Sequence, residues 1–127
     1  MAKGRILVMD DEELIRDVVS SMLEYLGYEV ELSSNGQEAL QKYSEALHGE
    51  KRFDMVIMDL TIPGGKGGKE VIRELLELDP AVKAIVSSGY SNDPVMANYT
   101  GYVFKGFVNK PFKIEDLGKA LEQVLTA

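Results

Sequence analysis

The stretch FDMVIMDLTIPGG, Phe53 to Gly65, holds an apolar run, Met55-Val56-Ile57-Met58, that delivers an aspartate to its end and then breaks into Thr-Ile-Pro-Gly-Gly. A short apolar run bounded by turn residues reads as a buried strand, with Asp59 at its carboxyl end. Taken alone, an aspartate before a Pro-Gly turn is an ordinary turn residue. It becomes something else if the rest of the chain brings other reactive groups to the same edge.

Working outward, short apolar or β-branched runs alternate with segments of helical period, five of each, which predicts an α/β fold with a parallel sheet. Arg5 to Met9 reads as the first strand. A helix from about Glu12 to Leu26 follows, with Leu14, Ile15, Val18, Val19, Met22 and Leu26 on one face, and Gly27 ends it. Tyr28 to Leu32 is the second strand, and Ser34-Asn35-Gly36-Gln37 offers a capping box for a helix reaching about Leu47. Beyond the opening stretch, Gly68 to Leu78 carries Val71, Ile72, Leu75 and Leu76 at helical spacing, and Asp79-Pro80 stops it. Ala84 to Ser87 is strand four, with Ser88 at its end. Asp93 is set to cap a short fourth helix with Pro94 at its first position. Phe104 to Val108 contains strand five. Ile114 to Leu125 closes the chain as a helix with Leu117, Ala120, Leu121, Val124 and Leu125 inward.

Composition narrows the classes of function. At 127 residues, one domain is expected over the whole chain, with its core at about residues 3–125. The longest apolar runs are about four or five residues, far below the roughly 20 needed to span a bilayer. No signal peptide is visible, and cysteine is absent, which excludes disulfides and fits a cytoplasmic location. A net charge of -7 argues against direct nucleic-acid binding and for protein partners or cations.

In an open parallel sheet, functional side chains gather at the carboxyl ends of the strands beside the point where strand order reverses. Asp10 and Asp11 follow strand one, Asp59 ends strand three, Ser88 ends strand four and Lys110 follows strand five. Three carboxylates on one rim repel, so folding either disperses them or a cation joins them. All-oxygen ligands without Cys or a placed His point to Mg²⁺, with Mn²⁺ able to substitute. With Lys110 and a hydroxyl nearby, such a pocket suits an incoming phosphoryl group, and one acid is then a candidate acceptor.

Asp10-Asp11, Asp59 in MDLTIPG, Ser88-Gly89 and Lys110-Pro111-Phe112 together resemble the receiver domain of two-component response regulators, over the chain from about Lys3 to Leu125. The spacing agrees, with 29 positions from Asp59 to Ser88 and 22 from Ser88 to Lys110. The resemblance implies a single flavodoxin-like (βα)₅ doubly wound sheet with strand order 2-1-3-4-5. It implies that Asp59 is the phosphoacceptor, served by a histidine kinase or histidine phosphotransfer domain. Asp11 would bind Mg²⁺ directly, Asp10 largely through water and Thr61 through its backbone carbonyl. Ser88 would bond the phosphoryl group and Lys110 would pair with it, with a cis Lys110-Pro111 bond. Ser88 and Phe107 would form a switch that alters the surface of the fourth helix, fifth strand and fifth helix. Thr61 and Tyr90 would flank an attacking water and set the lifetime of the aspartyl phosphate. The chain would catalyse its own phosphorylation and slow dephosphorylation without being a metabolic enzyme. A phosphorylation-dependent homodimer, a downstream protein or a covalently linked domain are the further partners implied.

Blander readings stand beside these. Asp10 and Asp11, with Glu12 and Glu13, also favour the dipole of the first helix. Ser87 competes with Ser88 for the hydroxyl position, and Ser88 is preferred because Gly89 follows and strand alternation sends Ser87 the other way. Phe107 is also readable as a core aromatic, and Asn98, Tyr99, Tyr102 and Lys105 are partner-contact candidates. In PGGKGGKE no Gly precedes Gly68-Lys69 at the Walker spacing, and Glu70 stands where a Ser or Thr is needed. His48 reads as a solvated residue. An aspartyl phosphatase would want Asp-x-Asp after strand one, a flavin or dinucleotide binder would be repelled by MDDEE, and a pseudo-receiver would lack an essential group. The output is left open among a stand-alone regulator, a relay intermediate and the receiver of a hybrid sensor kinase; the LTIPGGKGGKE loop resembles the last.

Overall fold

Five short strands, β1 (Arg5–Met9), β2 (Glu29–Ser33), β3 (Met55–Asp59), β4 (Ala84–Ser88) and β5 (Gly106–Asn109), pair in parallel in the order β2-β1-β3-β4-β5. The computed structural model describes residues 3–60, 67–88 and 104–126. Among these, four helices alternate with the strands: α1 (Glu13–Tyr25), α2 (Gly36–Leu47), α3 (Gly68–Leu78) and α4 (Ile114–Thr126). This α4 is the fifth helix of the sequence reading. The expected helix at Asp93-Pro94 lies outside the described residues, as do Thr61, Tyr90, Asn98, Tyr99 and Tyr102. The flavodoxin-like doubly wound architecture and its strand order are those expected.

Strand alternation builds two apolar layers. Ile6, Val8, Met55, Ile57, Ile85 and Val108 meet Val19 and Leu23 of α1 and Leu117, Leu121 and Val124 of α4. Leu7, Met9, Val56, Met58, Ala84 and Val86 meet Ala39 and Tyr43 of α2 and Val71, Ile72 and Leu75 of α3. With helices on both faces, every position of β3 is buried. That is why its sequence is apolar throughout rather than alternating. Each fully buried aliphatic side chain here contributes about 1.5–3 kcal/mol.

Several boundaries differ from the sequence reading. β2 begins one residue later than expected, and β5 starts at Gly106 because Phe104, 1% exposed, belongs to the α2–α3 layer rather than to the ladder. The cap of α2 is Asn35, whose side chain accepts from the Glu38 N–H at 2.8 Å. Glu38 in turn accepts from the Ser34 N–H, so the box is displaced by one residue from the Ser34–Gln37 pairing.

The larger correction concerns α1. Leu14 is 72% exposed and Val18 39%, not inward. The helix has more apolar arc than one sheet face can cover; Val19 and Leu23 take the core position, with Ile15, Met22 and Leu26 packed at its margin.

Candidate functional site

The register of the sheet assembles the site. Met9 pairs with Met58 across β1 and β3, so Asp10 and Asp59, each one residue further on, leave neighbouring strands side by side. Ser88 pairs with Asn109 across β4 and β5, which puts Lys110 at the same rim. Its N–H donates to the Ser88 carbonyl at 2.9 Å. The bond from Lys110 to Pro111 is cis, as expected.

The Lys110 side chain turns back across the strand ends. Its Nζ lies 2.6 Å from Asp10 Oδ2 and 3.3 Å from Asp59 Oδ1, and all three side chains are largely buried. Asp10 is held on every side. Its N–H donates to the Ser33 carbonyl at 3.1 Å, Oδ1 accepts from the Glu12 N–H at 3.0 Å, and its carbonyl accepts from Arg16 Nη1 at 2.8 Å.

Electrostatics follow from this crowding. Burial pushes the Asp59 carboxyl up to about 6; the Lys110 charge pulls it down, while Asp10 and Asp11 push it further up. Burial works against the Lys110 ammonium too, but its hydrogen bond to Asp10 and the Asp59 charge outweigh that, leaving its pKa above the ordinary lysine value. One ammonium among several acids leaves negative charge uncompensated.

Asp10, Asp11 and Glu12 each bring a carboxylate oxygen to within 4.8 Å of one another, Asp10 buried and the other two exposed. These donors are hard oxygens, and the raised Asp59 acid next to them is a group that a cation would relieve. The set therefore fits a divalent ion of the Mg²⁺ class. Glu12 joins this carboxylate group, whereas the sequence reading assigned it to the helix dipole alone. α1 begins at Glu13, so Glu12 stands at its N-cap, beside Asp10 and Asp11, rather than inside the helix.

Ser88 and Ser87 are both buried. The Ser87 hydroxyl donates to the Met58 carbonyl at 3.3 Å, inside the sheet, while Ser88 stands against Lys110. Phe107 is 41% exposed on β5, at one of its outward positions, so it is not a core aromatic. Lys105 is exposed beside it, and His48 is exposed at the end of α2 with a ring nitrogen 2.9 Å from the Ser44 carbonyl. Thr61 and Tyr90, the proposed lifetime pair, fall outside the described residues.

This fold, with acids and a lysine at one rim, matches a known family. Residues 6–122 match the family model described as the response regulator receiver domain, and the chain belongs to that family. It is 34% identical over 117 residues to the transcriptional regulatory protein YkoG of Bacillus subtilis, covering 92% of this chain and 49% of that protein. It is 32% identical to the chemotaxis protein CheY of Thermotoga maritima, covering 94% of this chain and 96% of CheY. It is also 32% identical to the sensor kinase CckA of Brucella abortus, covering 94% of this chain but 12% of the kinase. The chain thus spans about half of YkoG, a small part of CckA and nearly all of CheY. Among solved structures, the response regulator TrrA from Thermotoga maritima, in complex with Mg²⁺-BeF, superposes with a TM-score of 0.81 at 32% identity, covering 96% of this chain and 99% of that one.

Among the described residues, no helix is long and apolar enough to cross a membrane.

Proposed function

We propose that the chain is one receiver domain, with its core at about residues 3–125, that accepts a phosphoryl group from a phosphohistidine onto Asp59. The observation that carries this reading is the convergence of Asp59, Asp10 and the Lys110 ammonium at one buried rim. The TrrA complex with Mg²⁺-BeF supports it by likeness.

At neutral pH Asp59 lies above its pKa of about 6 and is a carboxylate able to attack phosphorus. A P–O bond forms to the carboxylate oxygen as the P–N bond of the donor breaks, and the bonding pair leaves with the imidazole. Asp10 holds the Lys110 ammonium within reach of Asp59, where it can follow the negative oxygens of the transferred group. Ser88 offers its hydroxyl from the neighbouring strand. Asp10, Asp11, Asp59 and the Thr61 carbonyl are the proposed ligands of Mg²⁺ or Mn²⁺, with Glu12 adjoining them. The ion would supply charge neutralisation for the phosphoryl oxygens.

The partner is a histidine kinase or histidine phosphotransfer domain. Exposed Leu14 and Val18, within two turns of the acidic loop, offer it apolar contact next to the acceptor. Ser88 and Phe107 are the proposed switch, acting on the surface around β5, through which a downstream protein, a linked domain or a phosphorylation-dependent homodimer would read the state. Thr61 and Tyr90 are proposed to govern phosphate lifetime, so Tyr90→Glu should speed dephosphorylation. The location proposed is the cytoplasm.

Incubation with acetyl phosphate and Mg²⁺ followed by intact mass tests the reading. One labile phosphate is expected, and its persistence in Asp59→Asn would refute the assignment of the acceptor.

A further inference from the structure

Arg16 sits in the first turn of α1, where the helix dipole disfavours a cation, three residues after the last of the acids Asp10 to Glu13. A guanidinium so placed is expected to pair with a carboxylate. Among the described residues it pairs with none; instead its Nη1 donates to the Asp10 main-chain carbonyl at 2.8 Å. The same residue that Lys110 grips by its carboxylate is thus gripped by Arg16 through its backbone.

The two cations act differently. Lys110 occupies carboxylate oxygens and competes for them with any incoming cation. Arg16 takes up no carboxylate oxygen of the loop, and holds the peptide from which Asp11 extends. Asp11 and Glu12 are exposed, and the Glu12 N–H is tied to Asp10 Oδ1, so where their carboxylates stand depends on how Asp10 is held.

We propose that Arg16 is the positioning residue of the acidic loop: by holding the Asp10 carbonyl it keeps the carboxylates of Asp10, Asp11 and Glu12 converged for a divalent cation. This rests on the metal reading given above. Groups that orient metal ligands without touching the ion commonly change affinity by about 10–100-fold.

The sign of the effect separates positioning from simple charge. Removing a positive charge beside a cation site tightens cation binding if Coulomb repulsion is all that changes. Loss of an anchor weakens it. Arg16→Met keeps most of the stem and removes charge and donor together. Calorimetric Mg²⁺ titration of the full chain, without phosphodonor and at fixed ionic strength, is expected to give affinity about tenfold weaker than wild type. Arg16→Lys, which retains charge and a donor, is expected to recover part of that loss. Equal or tighter binding by Arg16→Met overturns the proposal while leaving the metal reading intact. A wild-type chain that takes up no Mg²⁺ overturns both. If Arg16→Met does not fold, Arg16→Gln carries the test, with weaker binding expected and equal or tighter binding overturning it.

Discussion

The Lys110 ammonium lies 2.6 Å from Asp10 Oδ2, closer than the 3.3 Å that separates it from Asp59 Oδ1. The lysine therefore rests mainly on Asp10 rather than on Asp59, the proposed acceptor. A cation entering the acidic loop has to contend with that ammonium for Asp10. Lys110→Met should bind Mg²⁺ roughly three- to tenfold more tightly, about 1 kcal/mol at a high effective dielectric, while accepting phosphate more slowly. Titration calorimetry and phosphorylation time courses check the two halves; weaker Mg²⁺ binding would contradict the competition.

Asp59 supplies a pH dependence. Its folded-state carboxyl is raised from 3.8 to about 6, first by burial. The folded chain thus binds the proton more tightly than the unfolded one, and stability falls as pH rises from about 4 through about 6. Asp59→Asn removes this penalty. In metal-free urea unfolding the variant should be more stable than wild type by about 1–3 kcal/mol at pH 7.5, with the gap closing towards pH 4. A gap independent of pH would contradict the raised pKa.

Two glycines should respond oppositely to alanine. A Cβ on Gly68, at the start of α3, would stand 3.0 Å from the Asp59 carbonyl oxygen and 3.2 Å from Met58 Cβ, so backbone at Asp59 has to move. Gly68→Ala is expected to lose about 1–3 kcal/mol and to slow phosphorylation. A Cβ on Gly118, inside α4, meets only Leu26 methyls at 3.5 Å or more. Gly118→Ala should gain about 0.5–1 kcal/mol without changing phosphorylation. Thermal unfolding of both variants decides.

Tyr43 joins the two helices of one layer. Its hydroxyl donates to Asp79 Oδ2 at 2.7 Å, at the end of α3, and its ring stacks on Phe53. Burial first and then this hydrogen bond raise its pKa well above the ordinary tyrosine value. Tyr43→Phe should cost about 1–2 kcal/mol in urea unfolding and leave Mg²⁺ affinity unchanged. A change in metal affinity would mean that the α2–α3 layer reaches the site.

The sequence disclosed what depends on pattern over several residues. β1, β3 and β4 are legible because helices cover both sheet faces and force short continuous apolar runs, and their ends carry Asp10, Asp59 and Ser88. What it concealed turns on single residues and on competition between faces. Leu14 and Val18 fit an inward stripe as well as Val19 and Leu23 do; only the width of the sheet decides which pair is buried. Glu12 stands at the N-cap or inside the helix according to a one-residue shift in the start of α1. The Arg16 bond to the Asp10 carbonyl leaves no trace in residue type, since an arginine among acids suggests a salt bridge. Phe107 reads as core or surface according to which face of the edge strand β5 is covered, and it is Gly106 and Val108 that are buried.

The burial of β3 at all five positions, against alternate burial in β5, implies a gradient of local opening across the sheet. In deuterium exchange the amides of Val56, Ile57 and Met58 would be among the last to label, and those of β5 would label earlier. Asp59 is thus mounted on one of the two strands buried at every position and Phe107 on a more pliant one, an arrangement in which a local event at the centre would be registered by yielding at the margin.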